Sequence, residues 1–176
     1  MNIGHINLSS AFDGAAARFV LLVEALHDAG MEQHVLVRDA ALARRIRLIE
    51  GVTVGPIVHS PVMAYCLLPR VDVAHAHDLA AGHAGLLLAL TRSIPYVLTH
   101  RGRVATSISP LLQSIYRRAS CVLCQDDAEL AMLRHWLPGL AIDVLPELER
   151  HESATRYLRV YQNSQSMPIA GNNGIQ

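Results

Sequence analysis

The chain has no lysine: all fifteen of its permanently positive side chains are arginine, and fifteen acids balance them to a formal net charge of zero. A neutral molecule offers no case for nucleic acid, which is met by an excess of basic groups. Aromatic residues are scarce at 5%, although 51% of residues are hydrophobic. The apolar content is therefore mostly Ala, Leu and Val, which suits helices packed on a buried parallel sheet. Long apolar runs are absent too. The stretch from Ala84 to Leu90 falls far short of the ~20 residues that cross a bilayer. Cysteine is sparse, with three residues in all. An odd number with no secretory leader excludes a disulfide framework and points to a reducing, cytoplasmic compartment. Cys121-Val122-Leu123-Cys124 has C-x-x-C spacing, but there is no second pair. On a strand its ends face opposite sides, so the run is expected to be buried sheet, not a zinc or redox site.

One further absence is local. No Asp or Glu occurs from Leu79 to Gln125, whereas Arg92, Arg101, Arg103, Arg117 and Arg118 all fall there. The ordinary expectation is a set of solvated arginines. The sharper one is a face for an anion: a phosphate, a nucleotide, or a peripheral contact with an anionic membrane through the 92–118 segment, worth ~1 kcal/mol per basic residue.

What is present is alternation. Short apolar runs at Ile3–Leu8, Gln33–Val37, Val52–Ile57, Val71–His77, Pro95–His100, Cys121–Cys124 and Ala141–Leu145 read as strands. Between them lie helical patterns. Phe19, Leu22, Val23 and Leu26 recur at core spacing, Gly30 and Gly51 act as stops, and Pro61 and Pro110 fall in first turns. Seven strands alternating with helices predict one Rossmann-like α/β domain over residues 1–146, its mostly parallel sheet covered by helices on both faces. A charged helix over 147–162 and a polar, disordered tail over 163–176 are expected to follow.

In such sheets ligands gather at the carboxyl ends of strands. Asp72-Val73-Ala74-His75-Ala76-His77-Asp78 is a strand of this kind. Its parity puts His75 and His77 on one face and Asp78 on the other. Thr99-His100-Arg101-Gly102 ends the next strand. Ser9–Gly14 forms a loop of turn residues at a helix N-terminus, where backbone N–H groups favour an anion.

In order and spacing, these segments resemble the N-terminal, acceptor-side domain of family 4 glycosyltransferases, whose GT-B architecture has two facing Rossmann-like domains. The resemblance covers about residues 1–146. It rests on Asp13-Gly14-Ala15-Ala16-Ala17-Arg18, where the family has a Gly-Gly loop, and on the 72–78 stretch. Ile94-Pro95-Tyr96-Val97-Leu98-Thr99-His100-Arg101-Gly102 and the strand–helix from Ala119 to Leu133 complete it. Carried over, Gly14 lies near donor phosphates, Asp78 and Arg101 line the acceptor pocket with His77 and Arg103 beside them, Gly102 admits close backbone approach, and His100 stands by the transferred sugar as the catalytic-site histidine. Asp13 departs from the family's first glycine, and a carboxylate there opposes a diphosphate. Val144-Leu145-Pro146-Glu147 stands where the family's hinge reads Pro-Asn-Gly. Ala154 to Tyr161 resembles its final crossover helix.

The resemblance thus implies the acceptor-binding half of a retaining transferase that moves sugar from a nucleotide-sugar to a glycan or lipid-linked acceptor. The donor domain would come from a separate protein, with no cofactor and no metal. Two other readings stay open. One is a non-catalytic scaffold or regulatory module of the same fold. The other is a metal hydrolase with ligands among His75, His77, Asp78, His83 and His100, for which H-x-H is a familiar ligand pattern.

Overall fold

The computed structural model describes residues 1–10, 14–101, 109–144 and 150–166. Seven strands and seven helices alternate: β1 (Asn2–Asn7), α1 (Gly14–Asp28), β2 (Glu32–Val37), α2 (Ala40–Ile46), β3 (Val52–Val54), α3 (Pro61–Leu67), β4 (Val73–Ala76), α4 (Leu79–Arg92), β5 (Tyr96–Thr99), α5 (Pro110–Arg118), β6 (Cys121–Cys124), α6 (Asp127–Trp136), β7 (Ile142–Val144) and α7 (Arg150–Ser166). The strands form one sheet in the order β3-β2-β1-β4-β5-β6-β7. Every neighbouring pair is parallel. This is the single Rossmann-like α/β domain that the alternation predicts.

Local chemistry sets the boundaries. Asp39, Ser60, Asp78, Ser109 and Asp126 each cap a helix by accepting the backbone N–H three residues on, which satisfies one orphaned donor of the first turn. Pro61 and Pro110 occupy first-turn positions. Gly30 ends α1 with φ +75°, a conformation open to glycine at little cost. β3 is shorter than its apolar run, because Pro56 has no N–H for the sheet ladder.

Strand parity divides the core into two faces. Ile3, Val73, Val97 and Leu123 pack with Leu22 and Leu26 of α1 and with Val160 and Tyr161 of α7. Ile6, Ala74, Ala76, Tyr96, Leu98 and Val122 face the other way, against α3 through α6. Cys121 packs on the first face and Cys124 belongs to the second, so the C-x-x-C pair straddles the sheet. Burial raises both thiols, to about 12 and about 11, leaving neither as a reactive thiolate at neutral pH.

The terminal helix runs on to Ser166, past the 147–162 span expected for it, and Ser164 is buried with its hydroxyl donating to the Val160 carbonyl at 2.8 Å. Its buried positions Ala154, Val160, Tyr161 and Ser164, with half-buried Tyr157, fall on one helical stripe. That stripe lies over β4, β5 and α1.

Candidate ligand crevice at the sheet switch point

The strand order reverses between β1 and β4. β1 leads into α1 on one face of the sheet and β4 into α4 on the other. Their carboxyl ends therefore diverge, which is where open α/β sheets leave a crevice for a ligand.

Asp78 holds the two sides together. One carboxylate oxygen accepts the Ala81 N–H at 2.8 Å and caps α4. The other accepts the Leu8 N–H, just beyond β1, at 2.6 Å. Both oxygens thus serve backbone donors across the crevice floor. Asp78→Ala is expected to lower stability by about 1–2 kcal/mol through the lost cap, with Asp78→Asn closer to wild type, since the amide oxygen keeps one acceptor. Urea unfolding of the two variants checks this.

Asn7 ends β1 on the α1 face. It is 1% exposed, and its side-chain oxygen accepts the Ser9 N–H at 3.1 Å. Its amide nitrogen is buried and finds no acceptor among the described residues. A buried donor left in this state costs about 1–3 kcal/mol. Nothing in the local sequence singled out Asn7, whose inward position follows only from its parity with Ile3 and His5.

Arg101 follows β5 and is half-buried. Its guanidinium lies 3.4 Å from the Ala15 carbonyl in the first turn of α1, and its charge acts on His75, His77 and Tyr157. The structure thus brings Arg101 to the helix N-terminus that begins with exposed Gly14. His100 is 5% exposed. Its Nδ1 lies 2.7 Å from the Tyr116 hydroxyl of α5, on the sheet face opposite His75 and His77. Gly102 and Arg103 lie outside the described residues. Of the other arginines in the acid-free segment, Arg92 donates to the Leu68 carbonyl at 2.8 Å and sits over the Tyr65 ring. Arg117 and Arg118 close α5. The described arginines of this segment are spread over separate elements.

Below Asn7 lies a polar network inside the core. His5, Gln33, His75, His77 and Thr99 are all buried. The Gln33 amide donates to the Val23 carbonyl at 2.9 Å, so its oxygen faces His5 Nε2 at 3.1 Å. That oxygen only accepts, which places the His5 proton on Nε2 and leaves Nδ1 as an acceptor. His77 Nε2, 3.0 Å from His5 Nδ1, must then be the donor. His75 is held at Nδ1 by the Tyr161 hydroxyl and at Nε2 by Thr99, each at 2.7 Å. Burial depresses the basicity of all three imidazoles, His5 to about 4 and His75 and His77 well below the ordinary 6.5. They are neutral at pH 7.

His5 and Gln33 carried no role in the sequence reading. The signal for them was that inward positions of buried strands, normally apolar, are polar in β1, β2, β4 and β5 together. The ligand set considered for a hydrolase is dispersed: Asp78 serves backbone amides, His83 Nδ1 meets the Leu79 carbonyl within α4 at 3.1 Å, and His100 faces α5. The histidines that do converge are His5, His75 and His77.

Fold and strand order together define a Rossmann-like α/β domain whose switch point lies between β1 and β4, the position where such sheets take ligands. No protein-family model and no curated protein sequence matches the chain. Among solved structures it is similar to a sucrose-phosphate synthase piece from Thermosynechococcus elongatus, carrying residue ranges 27–220 and 406–426. The identity is 16% and the TM-score 0.64, over 92% of this chain and 98% of that one. The two share the fold. Looser likenesses are to MT0777 (11% identity, TM-score 0.46, 96% of this chain and 100% of that one) and to a dodecameric FMN-dependent UbiX-like decarboxylase from Escherichia coli O157:H7 (17%, 0.45, 92% and 94%). Among the described residues no helix is long and apolar enough to cross a membrane.

Proposed function

We propose that this chain is the acceptor-binding half of a GT-B retaining glycosyltransferase of the family 4 type, taking a sugar or glycolipid acceptor in the β1/β4 crevice. The observation that carries the reading is the buried amide of Asn7 at the switch point, a donor without an acceptor among the described residues. A sugar hydroxyl or phosphate oxygen entering the crevice supplies what that amide lacks. Arg101 adds the positive charge that an anionic group on the ligand requires, and the α1 N-terminus adds backbone donors. The likeness to the sucrose-phosphate synthase piece supports the same assignment, since it extends over nearly all of both chains.

In this role Asp78 sets the spacing of the crevice walls, His77 stands beside Asn7 just past the paired residues Ile6 and Ala76, and His100 is buttressed by Tyr116. The chemical step needs charge stabilisation at a departing nucleotide diphosphate. That part falls to a donor-binding domain facing this one.

Calorimetric titration with glucose 6-phosphate, UDP and UDP-glucose tests the proposal. The sugar phosphate is expected to bind wild type, and Arg101→Ala and Asn7→Ala to weaken it at least tenfold, about 1.4 kcal/mol. Asn7→Ala removes both the unsatisfied donor and the acceptor of the Ser9 N–H, so the two effects oppose each other and stability should shift by no more than about 1 kcal/mol. Equal affinity in wild type and both variants, or no binding of any of these ligands, favours the non-catalytic module instead.

A further inference from the structure

We propose that His5, His75 and His77 form a binding site for a zinc-class divalent metal ion, adjoining the crevice on its core side. Each offers a ring nitrogen, and these atoms all lie within 4.8 Å of one another. The closest pair, His5 Nδ1 and His77 Nε2, is 3.0 Å apart. Two nitrogens at Zn–N distances of about 2.0–2.1 Å in a tetrahedral shell sit roughly 3.3 Å apart, so this pair needs only a small opening to receive an ion. The ring centroids of His75 and His77 are 3.8 Å apart, and that of His5 lies 5.3 Å from His77 and 6.0 Å from His75.

The donor chemistry selects the metal. All three ligands are imidazoles, which suits zinc, copper or nickel; magnesium and calcium require oxygen. The surrounding bonds have the form of an outer shell. Gln33 fixes the proton of His5 on Nε2 and turns a bare Nδ1 inward, as the outer partners of metal-bound histidines do. His77 becomes a ligand by moving its proton from Nε2 to Nδ1, with no net proton released. Both nitrogens of His75 are taken by hydroxyls, so the ion replaces one of those bonds. All three rings are neutral at pH 7, the form a metal requires.

The neighbouring charge works against a cation. Arg101 acts electrostatically on His75 and His77, so it must also repel an ion bound by them. Removing its charge should therefore strengthen metal binding while it weakens the anionic ligand of the crevice. These opposite signs separate failure of this proposal from failure of the proposed function.

The test uses the full chain stripped with a chelator and titrated with Co2+ and then Zn2+ alone. Wild type is expected to bind one Co2+ per chain with the visible absorption of a low-symmetry, nitrogen-ligated site. Zn2+ should displace it and raise the melting temperature. His77→Gln and His5→Gln should lower the affinity at least tenfold, His83→Gln should match wild type, and Arg101→Gln should bind more tightly. Should the core variants misfold, the wild-type Co2+ spectrum and the Arg101→Gln comparison still decide. Sub-stoichiometric binding without visible bands, or an affinity unchanged in His77→Gln, overturns the proposal.

Discussion

Replacing Tyr161 with alanine is expected to cost about 3–5 kcal/mol of folding stability, the range for deleting a large buried aromatic side chain. Tyr161 is fully buried, although it belongs to a helix that the chain reaches only after the sheet is complete. It belongs to the core cluster of Ile3, Leu22, Leu26, Val73, Val97, Leu123 and Val160, on the face where α7 lies against α1, β4 and β5. Its hydroxyl also meets His75 Nδ1 at 2.7 Å. The alanine variant both opens a cavity and strands a buried ring nitrogen. Tyr161→Phe isolates the second effect and should cost about 1–3 kcal/mol. For a domain of this size the alanine variant should melt roughly 10 °C lower or more. Denaturant unfolding monitored by far-UV circular dichroism reads both variants. A loss below about 1 kcal/mol for Tyr161→Ala would show that α7 is not an integral part of the core.

Acid is expected to have an effect of similar size in chelator-treated protein. Unfolded histidine titrates near 6.5, while burial holds His5 at about 4 and His75 and His77 well below the ordinary value. Above pH 6.5 the three are neutral in both states, and stability is complete. As the pH falls from 6.5 toward 4, the unfolded chain takes up protons that the folded chain refuses, so stability declines. Each histidine contributes a slope of about 1.4 kcal/mol per pH unit over its window. His5 alone accounts for about 3 kcal/mol by pH 4, and its burial is complete, so no solvent screening reduces that figure. Stability measured from pH 7.5 to 4.5 should therefore fall steeply, and His5→Gln should flatten the curve. A flat wild-type profile would contradict the buried neutral network.

The fold was largely legible because alternation, turn residues and caps are local. The apolar runs ending in Leu8, His77 and His100, separated by helical patterns with Asp78 and Asp126 at their starts, carry the parallel sheet almost unaided. Parity alone separated Cys121 from Cys124. The histidine network was not legible, because periodicity gives the face of a residue but not its neighbour across the sheet. His5 stands opposite His75 only because β1 and β4 pair in that register, and Gln33 reaches them from β2. A lone histidine in a short N-terminal strand carries no hint of this.

His100 shows the same limit in the other direction. It is one residue beyond Thr99, and that single step turns it away from His75 toward Tyr116. The stretch after Gln162 looked like tail because Asn163, Ser164, Gln165 and Ser166 are polar. Ser164 nevertheless continues the spacing of Tyr157, Val160 and Tyr161 and satisfies its own hydroxyl against the Val160 carbonyl. Composition concealed what helical periodicity would have shown.

The proposed crevice is tested most directly by amide chemical-shift mapping of the full chain during titration with a sugar phosphate. Shifts are expected at Asn7, Leu8, Asp78, Leu79 and Arg101, the residues that surround the carboxyl ends of β1, β4 and β5. Shifts confined to Asn2, Asp72, Tyr96 and Ser120 at the opposite end of the sheet, or no shifts at all, would contradict a ligand site at the switch point.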